Sequence, residues 1–299
     1  MKVGIIGLGS IARKHIAAVR ALDLTAQFYA LRHTQTSPAQ DGVNNVYSYE
    51  ELLAVQPDFI IISNPTAAHR AAIERLAQEH IPLMIEKPLS DTLAAPVMVD
   101  GLTYVACNLR FLESIQYIKQ QIDGQRVNEV NTYCGSSLPS WRAGVAWREC
   151  YSANKEMGGG VHIDLIHEID YLYWLFGAPQ KVTKIFRNVS SLGISAIDYA
   201  NYTIEYPGFT ASVVLNYYRC DSKRTLEIVT DKETWIVDLL KNSVNRNGKI
   251  VFQSDRTIGD TYATQMRHFV AAIASGERFN DINQAYDVLK ICLEDGTKR

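Results

Sequence analysis

The sequence predicts an α/β chain in two parts: a doubly wound parallel sheet first, then an α+β domain with an open, mostly antiparallel sheet. Three observations carry this. Short apolar runs alternate with helical patterns through the first hundred or so residues. A glycine-rich turn joins the first run to the first helix. After about residue 108 the alternation gives way to successive strand-like runs with short turns. Repeated βα units with short links build parallel sheets, whereas strands in succession pair antiparallel. The expected domains are residues 1–107 and 108–299.

Taken in order, residues 2–6 (KVGII) read as a buried strand. Residues 11–21 read as a helix with Ile11, His15, Ala18 and Leu22 on one face. Residues 26–31 make a second strand. Residues 58–63 (DFIIIS) are apolar on both faces, as interior parallel strands are. Residues 65–80 open with Pro and Thr and read as a helix, and 82–86 as a strand. The stretch SDTLAAPVMVDG then carries Pro96 midway, so a helix there is trimmed or broken. Residues 112–122 and 164–176 read as helices. Strands are expected at 181–189, 197–206, 209–218, 223–229 and 234–238. Tyr206-Pro207-Gly208-Phe209 is a hairpin turn signal. Helical patterns at 261–274 and 284–294 close the chain.

Bulk properties exclude several function classes. The formal net charge of -2 gives no basic field to recruit nucleic acid. No apolar run reaches the roughly 20 residues of a membrane span, and the N-terminus does not read as a signal peptide. The cysteines, Cys107, Cys134, Cys150, Cys220 and Cys292, are scattered without a CxxC pair, which fits a reducing cytoplasm.

Gly7-Leu8-Gly9-Ser10-Ile11-Ala12 is GxGxxA, directly after a strand and directly before a helix. That context defines a dinucleotide fingerprint. Gly7 permits the tight turn, and Gly9 lets backbone approach a pyrophosphate. Ala12 allows close helix packing, and the free N–H groups at the helix start, from Ser10 and Ile11 onward, favour phosphate charge. The acid expected about 20 residues on, for the ribose 2′-hydroxyl, is missing. Leu31-Arg32-His33-Thr34 stands there instead. An arginine suits a 2′-phosphate, so NADP is expected over NAD. A charged hydrogen bond is worth about 1.5–3 kcal/mol, or about ten- to a hundredfold in preference.

Further along come Ser63-Asn64-Pro65 with His69, then Glu86-Lys87-Pro88, then Asn108-Leu109-Arg110-Phe111, then GGG…HEID. With GLGSIARKH at the N-terminus, this series resembles the Gfo/Idh/MocA oxidoreductases over essentially the whole chain. The resemblance implies a Rossmann domain followed by an open-sheeted α/β domain that carries the substrate pocket and often an oligomer interface. It implies dinucleotide contacts from Ser63, Asn64, Pro65, His69 and Glu86. It places Lys87 beside the nicotinamide and the substrate hydroxyl. The chemistry agrees, because the carboxyl ends of parallel strands are where open α/β sheets bind ligands. Two departures stand out: the short Pro96-bearing stretch after Lys87, and Cys107 before NLRF.

MGGGVHIDLIHEIDYLYW, residues 157–174, admits three readings. A metal site would draw on His162, Asp164, His167 and Glu168, but HxDxxHE is no known ligand spacing, so no metal is expected. A plain helix would use Asp164 as N-cap, with Leu165, Ile169, Leu172 and Phe176 as its buried face. Asp164, His167 and Asp170 would then share the other side. The family resemblance makes His167 the general acid/base, a role suited to a side chain titrating near about 6.5. Asp164 is then either its catalytic partner, a ligand for a sugar hydroxyl or only a cap. Asp170 is either part of the family pattern or a structural acid paired to backbone or an arginine. Upstream, Trp141, Arg142 and Tyr151 lie in a loop where aromatic and guanidinium groups alternate, which suits stacking on sugar rings and pairing with acidic groups. Arg110 completes the expected substrate set.

These readings predict an NAD(P)-dependent oxidoreductase acting on a CH–OH carbon of a sugar or nucleotide-sugar, in surface-polysaccharide or acidic-sugar biosynthesis. It would be a cytoplasmic homodimer or homotetramer, with no nucleic-acid or membrane partner. The alternatives are an NAD-dependent glycosidase of the same family and a non-catalytic dinucleotide-binding regulator.

Overall fold

The computed structural model describes residues 1–141 and 146–294. They divide into two units, Met1–Cys107 with Asp260–Tyr286, and Asn108–Gly259 with the residues after Tyr286. Residues 260–286 thus belong with the first unit, which corrects the expected run of 108–299 as one continuous domain. The reason is packing. Phe269 stands edge-on to Phe59 at 5.3 Å, and Asn280 exchanges hydrogen bonds with Val105.

The first unit holds six strands: β1 (Lys2–Ile6), β2 (Gln27–Leu31), β3 (Asn44–Val46), β4 (Phe59–Ile62), β5 (Leu83–Ile85) and β6 (Thr103–Val105). Their order is β3-β2-β1-β4-β5-β6, parallel throughout. This is the doubly wound Rossmann order, whose strand direction of travel reverses between β1 and β4. Helices α1 (Ser10–Leu22), α2 (Tyr49–Ala54) and α3 (His69–Leu76) alternate with the strands. All four β4 side chains are buried because both faces are covered. Ile60 and Ile62 enter a core with Leu52, Ile73 and Leu76, while Phe59 meets Phe269 of α7 (Thr261–Ser275). Each such side chain contributes about 1.5–3 kcal/mol.

The expected helix over 65–80 opens as a 3-10 turn at Thr66–Ala68 and ends at Leu76. His80, with φ +54, lies beyond it in the left-handed region. From Lys87 to β6 the chain crosses without a helix, as Pro96 foretold. The stretch is tied down by Arg70 Nη1 donating to the Ala95 carbonyl at 2.7 Å and by the Asp100 N–H on the Ala77 carbonyl at 2.9 Å.

The second unit is built on eight strands: β7 (Val127–Ser137), β8 (Lys181–Arg187), β9 (Tyr199–Glu205), β10 (Thr210–Asn216), β11 (Tyr218–Thr230), β12 (Thr234–Asp238), β13 (Ser243–Arg246) and β14 (Lys249–Gln253). The order is β14-β13-β12-β11-β7-β10-β9-β8, and every pair except β7–β10 is antiparallel. The Tyr206–Phe209 turn closes the β9–β10 hairpin, with the Tyr206 N–H on the Phe209 carbonyl. One sheet face is covered: Ala200, Tyr202 and Ile204 of β9 are buried while Thr203 between them is exposed.

Helices α4 (Glu113–Gln121), α5 (Val161–Asp164) and α6 (His167–Phe176) lie in this unit, and α8 (Ile282–Leu293) begins in the first unit and ends here. The single helix expected over 164–176 is two pieces. Gly160, at φ +145, turns the chain into α5, and Leu165–Ile166 break the helix before α6 starts at His167. Asp164 therefore ends a short helix and caps nothing. Of the predicted apolar face, Leu165, Ile169 and Leu172 are buried and Phe176 is half-buried, with Leu165 in the break ahead of α6.

Candidate active site

In the first unit, the carboxyl ends of β1, β4 and β5 carry the glycine turn, Ser63–Pro65 and Glu86–Lys87. Gly7 adopts φ +90, and a Cβ there would stand 2.3 Å from the Asn64 backbone nitrogen. No other residue fits. Gly9 is the opposite case, since a Cβ there would meet nothing within 4 Å. It is the N-cap of α1, no side chain caps the helix, and its first turn holds no acid. Ser10 is exposed, Ile11 half-buried and Ala12 fully buried against the sheet. Open backbone N–H groups at the switch point of a parallel sheet are the donor set a dinucleotide pyrophosphate requires, so these residues fit that group.

The neighbouring loops lock together. Ser63 Oγ donates to the Gly7 carbonyl at 2.8 Å, and Asn64 Nδ2 donates to the Ala68 carbonyl at 3.3 Å, while Pro65 is exposed. His69 is buried, with Nδ1 3.0 Å from the Pro88 carbonyl and Nε2 3.0 Å from the Asn64 carbonyl. Its ring has no surface left for a ligand, so it braces two loops instead of touching a dinucleotide. Burial lowers its pKa, against the pull of those carbonyls and of nearby Glu86. Glu86 is buried and Lys87 half-buried. Arg32 lies half-buried just past β2, with Nη2 3.3 Å from the Pro38 carbonyl.

In the second unit, Asp164 and His167 are both half-buried. Asp164 Oδ2 accepts the Tyr217 hydroxyl at 2.5 Å, and the buried tyrosine has its pKa pushed well up, by burial first and by Asp164 second. Trp141 is 38% exposed, stands edge-on to the Tyr217 ring at 5.2 Å, and donates through Nε1 to Ser136 Oγ. Tyr151 donates its hydroxyl to the Gly158 carbonyl at 2.9 Å. Arg142 lies outside the described residues.

Two expectations change. Arg110 is 0% exposed and forks onto Asp170, at 2.8 Å from Nε and 2.6 Å from Nη2. It is a buried structural pair and offers no face to substrate. Asp170 is thus the structural acid paired to an arginine, one of the readings open for it. It stays three residues on from His167 in α6, whereas the break at Leu165–Ile166 takes Asp164 out of that helical register. Glu168 is likewise committed, forked onto Arg224 of β11. Among the described residues, no group of three or more His, Cys, Asp or Glu side chains could hold a metal ion.

Sequence reasoning did not single out Tyr217, and nothing in NYYR distinguishes it. It placed His15 on the apolar face of α1 but gave it no role.

Comparison with known proteins identifies the family. The NAD-binding Rossmann-fold model of the oxidoreductase family matches residues 1–99, and the GFO/IDH/MocA C-terminal domain model matches residues 115–236. The chain belongs to the Gfo/Idh/MocA oxidoreductase family. A myo-inositol 2-dehydrogenase from Thermotoga maritima is 20% identical, over 93% of this chain and 89% of that protein. Among solved structures, an oxidoreductase from Thermotoga maritima superposes with a TM-score of 0.83 at 18% identity, covering 99% of this chain and 96% of that one. An oxidoreductase from Agrobacterium radiobacter, solved with NAD+, L-tartaric acid and magnesium, gives a TM-score of 0.81 at 18% identity, covering 98% and 94%. Those two likenesses speak for the fold. As a Gfo/Idh/MocA member the chain is an oxidoreductase with a nicotinamide-dinucleotide Rossmann domain, and no helix among its described residues is long and apolar enough to cross a membrane.

Proposed function

We propose that the protein moves a hydride between a nicotinamide dinucleotide and a CH–OH carbon of a cyclic polyol, sugar or nucleotide-sugar. The observation that carries this is the uncapped glycine turn at the sheet's switch point, with Glu86–Lys87 on the same strand edge. A bound nicotinamide would supply the hydride acceptor or donor. Lys87 polarises the substrate oxygen, and His167 takes or returns its proton. Asp164, which accepts the Tyr217 hydroxyl, receives a ring hydroxyl, while the part-exposed indole of Trp141, edge-on to the same tyrosine, covers an apolar ring face. Trp141 and Asp164 sharing one tyrosine is what favours a ring-shaped polyhydroxy substrate.

Arg32 favours NADP through its charge at the end of β2, where the fingerprint otherwise wants an acid. A fluorescence titration with NADPH and, separately, NADH tests this. NADPH should bind about tenfold tighter, and Arg32→Ala should remove the difference. Equal affinities in the wild-type protein would sink the Arg32 reading and leave the rest standing. A panel of inositols, sugars and UDP-sugars then tests the substrate class. Lys87→Met and His167→Asn should each lower turnover by about 100-fold or more while NADPH still binds. Undiminished turnover in either variant removes that residue from the mechanism.

The one-sided sheet of the second unit, with Ile185 and Ile236 among its exposed side chains, suits pairing of copies as a homodimer or homotetramer. Sedimentation equilibrium showing a monomer would end that reading.

A further inference from the structure

Lys87 sits in a turn gripped by two histidines of the same unit. His69 reaches it from one side through the Pro88 carbonyl. On the other side stands His15 of α1, 0% exposed, with Nε2 2.5 Å from Glu86 Oε1. The second carboxylate oxygen, Glu86 Oε2, accepts the backbone N–H of Lys87 at 3.2 Å. One carboxylate thus spans a helix side chain and the lysine's own peptide.

A carboxylate withdrawn from water must find donors, and a buried one without them is costly. Nε2 of His15 is the side-chain donor that meets Glu86. Its other nitrogen, Nδ1, is buried with no hydrogen-bond partner. That fits a proton carried on Nε2, because a bare lone pair is cheaper to bury than an unmatched N–H. The ring is wedged edge-on to Tyr262 of α7 at 5.7 Å, which fixes its direction. His15 also rides α1, the helix whose first turn is the dinucleotide turn. The same rigid element therefore sets both the glycine turn and, through Glu86, the lysine.

We propose that His15 is a positioning residue for Lys87, acting through Glu86. It touches neither substrate nor dinucleotide. This rests on the reading that Lys87 serves the reaction.

A packing role alone would be met by leucine, whereas the proposed role needs a donor. Glutamine can place an amide N–H close to where Nε2 stands. Trace acetylation of the full-length protein with acetic anhydride, read lysine by lysine by mass spectrometry, reports the setting of Lys87 without any substrate. His15→Leu should change the relative rate at Lys87 by about fivefold and leave the other lysines as they were. His15→Gln should restore the wild-type rate. Glu86→Gln, which leaves α1 untouched, should shift Lys87 in the same sense as His15→Leu. An unchanged Lys87 rate in His15→Leu overturns the proposal, and so does an equal change in His15→Leu and His15→Gln. Should His15→Leu fail to fold, Glu86→Gln decides alone, an unchanged rate there counting against. The underlying reading fails separately: full turnover in Lys87→Met would remove the lysine from the chemistry whatever its acetylation pattern.

Discussion

Arg110 shows how far a residue's type can mislead about its work. In the sequence it reads as a substrate ligand in the Asn108-Leu109-Arg110-Phe111 motif. In the fold, both it and Asp170 are almost wholly buried, each the other's main charge partner. Removing one member of such a pair strands the other in a poor solvent. Arg110→Ala should cost about 3–5 kcal/mol in urea denaturation, and Arg110→Met with Asp170→Leu distinctly less. Equal losses would show that the guanidinium's shape matters more than its charge. His162 provides a pH handle. Its ring packs on Phe186 at 4.9 Å, and burial, helped by Lys184, lowers its pKa to about 4. An unfolded histidine titrates near about 6.5. The folded value lies below the unfolded one, so stability is complete above about pH 6.5 and declines as pH falls toward 4. His162→Phe should lose less stability than wild type between about pH 7 and pH 4.5, by on the order of 1–3 kcal/mol. Parallel losses in the two proteins would mean that this ring does not titrate differently on unfolding. Tyr217 was illegible because a tyrosine's hydroxyl partner is chosen by tertiary placement. For Asp164 the cap, one of three readings open in the sequence, is excluded by its place at the end of α5.

Among elements, those with strong local patterns were readable. The four-residue apolar run of β4 and the strict alternation of β9 announce themselves, since each reflects how many of its faces are covered. β7 was missed although its Val130, Thr132 and Cys134 alternate inward, because a polar Thr132 on the inner face and an aromatic Tyr133 on the outer one blur the period. The break at Leu165–Ile166 was invisible, as neither residue disfavours a helix; the approach forced by Gly159 and Gly160 sets it. A Cβ on Gly159 would lie 2.0 Å from the Tyr151 carbonyl oxygen. The glycine turn allows a sharper test, because its two glycines do different jobs. Gly7→Ala must push backbone aside from a positive φ, and should destabilise by more than about 1 kcal/mol. Gly9→Ala meets only open space. It should melt like wild type and bind NADPH about tenfold more weakly, since its methyl stands where a pyrophosphate would approach. A Gly9→Ala protein with undiminished NADPH affinity would argue against a dinucleotide at this turn.

At the scale of the whole molecule, the change from parallel to antiparallel pairing was plain in the sequence, whereas the assignment of residues 260–286 was not. Nothing local in an amphipathic helix such as α7 states which sheet it will cover. Long-range packing decides, through Phe269 on Phe59 and Asn280 on Val105. A fragment ending at Cys107 lacks the Phe269 that covers Phe59. It should show no cooperative thermal transition, whereas the same fragment joined through a short flexible linker to residues 260–286 should recover one. A cooperative melt of the bare fragment would show that α7 is dispensable. The consequence reaches back to the ribosome. A chain emerging from its N-terminus usually folds domain by domain in the order made, but here the first unit begun is not complete until residue 286 has been synthesised. The entire eight-stranded sheet is translated in the meantime, so the half-built nucleotide domain waits with Phe59 and its apolar surroundings lacking their α7 cover, a natural target for a chaperone that grips nascent chains.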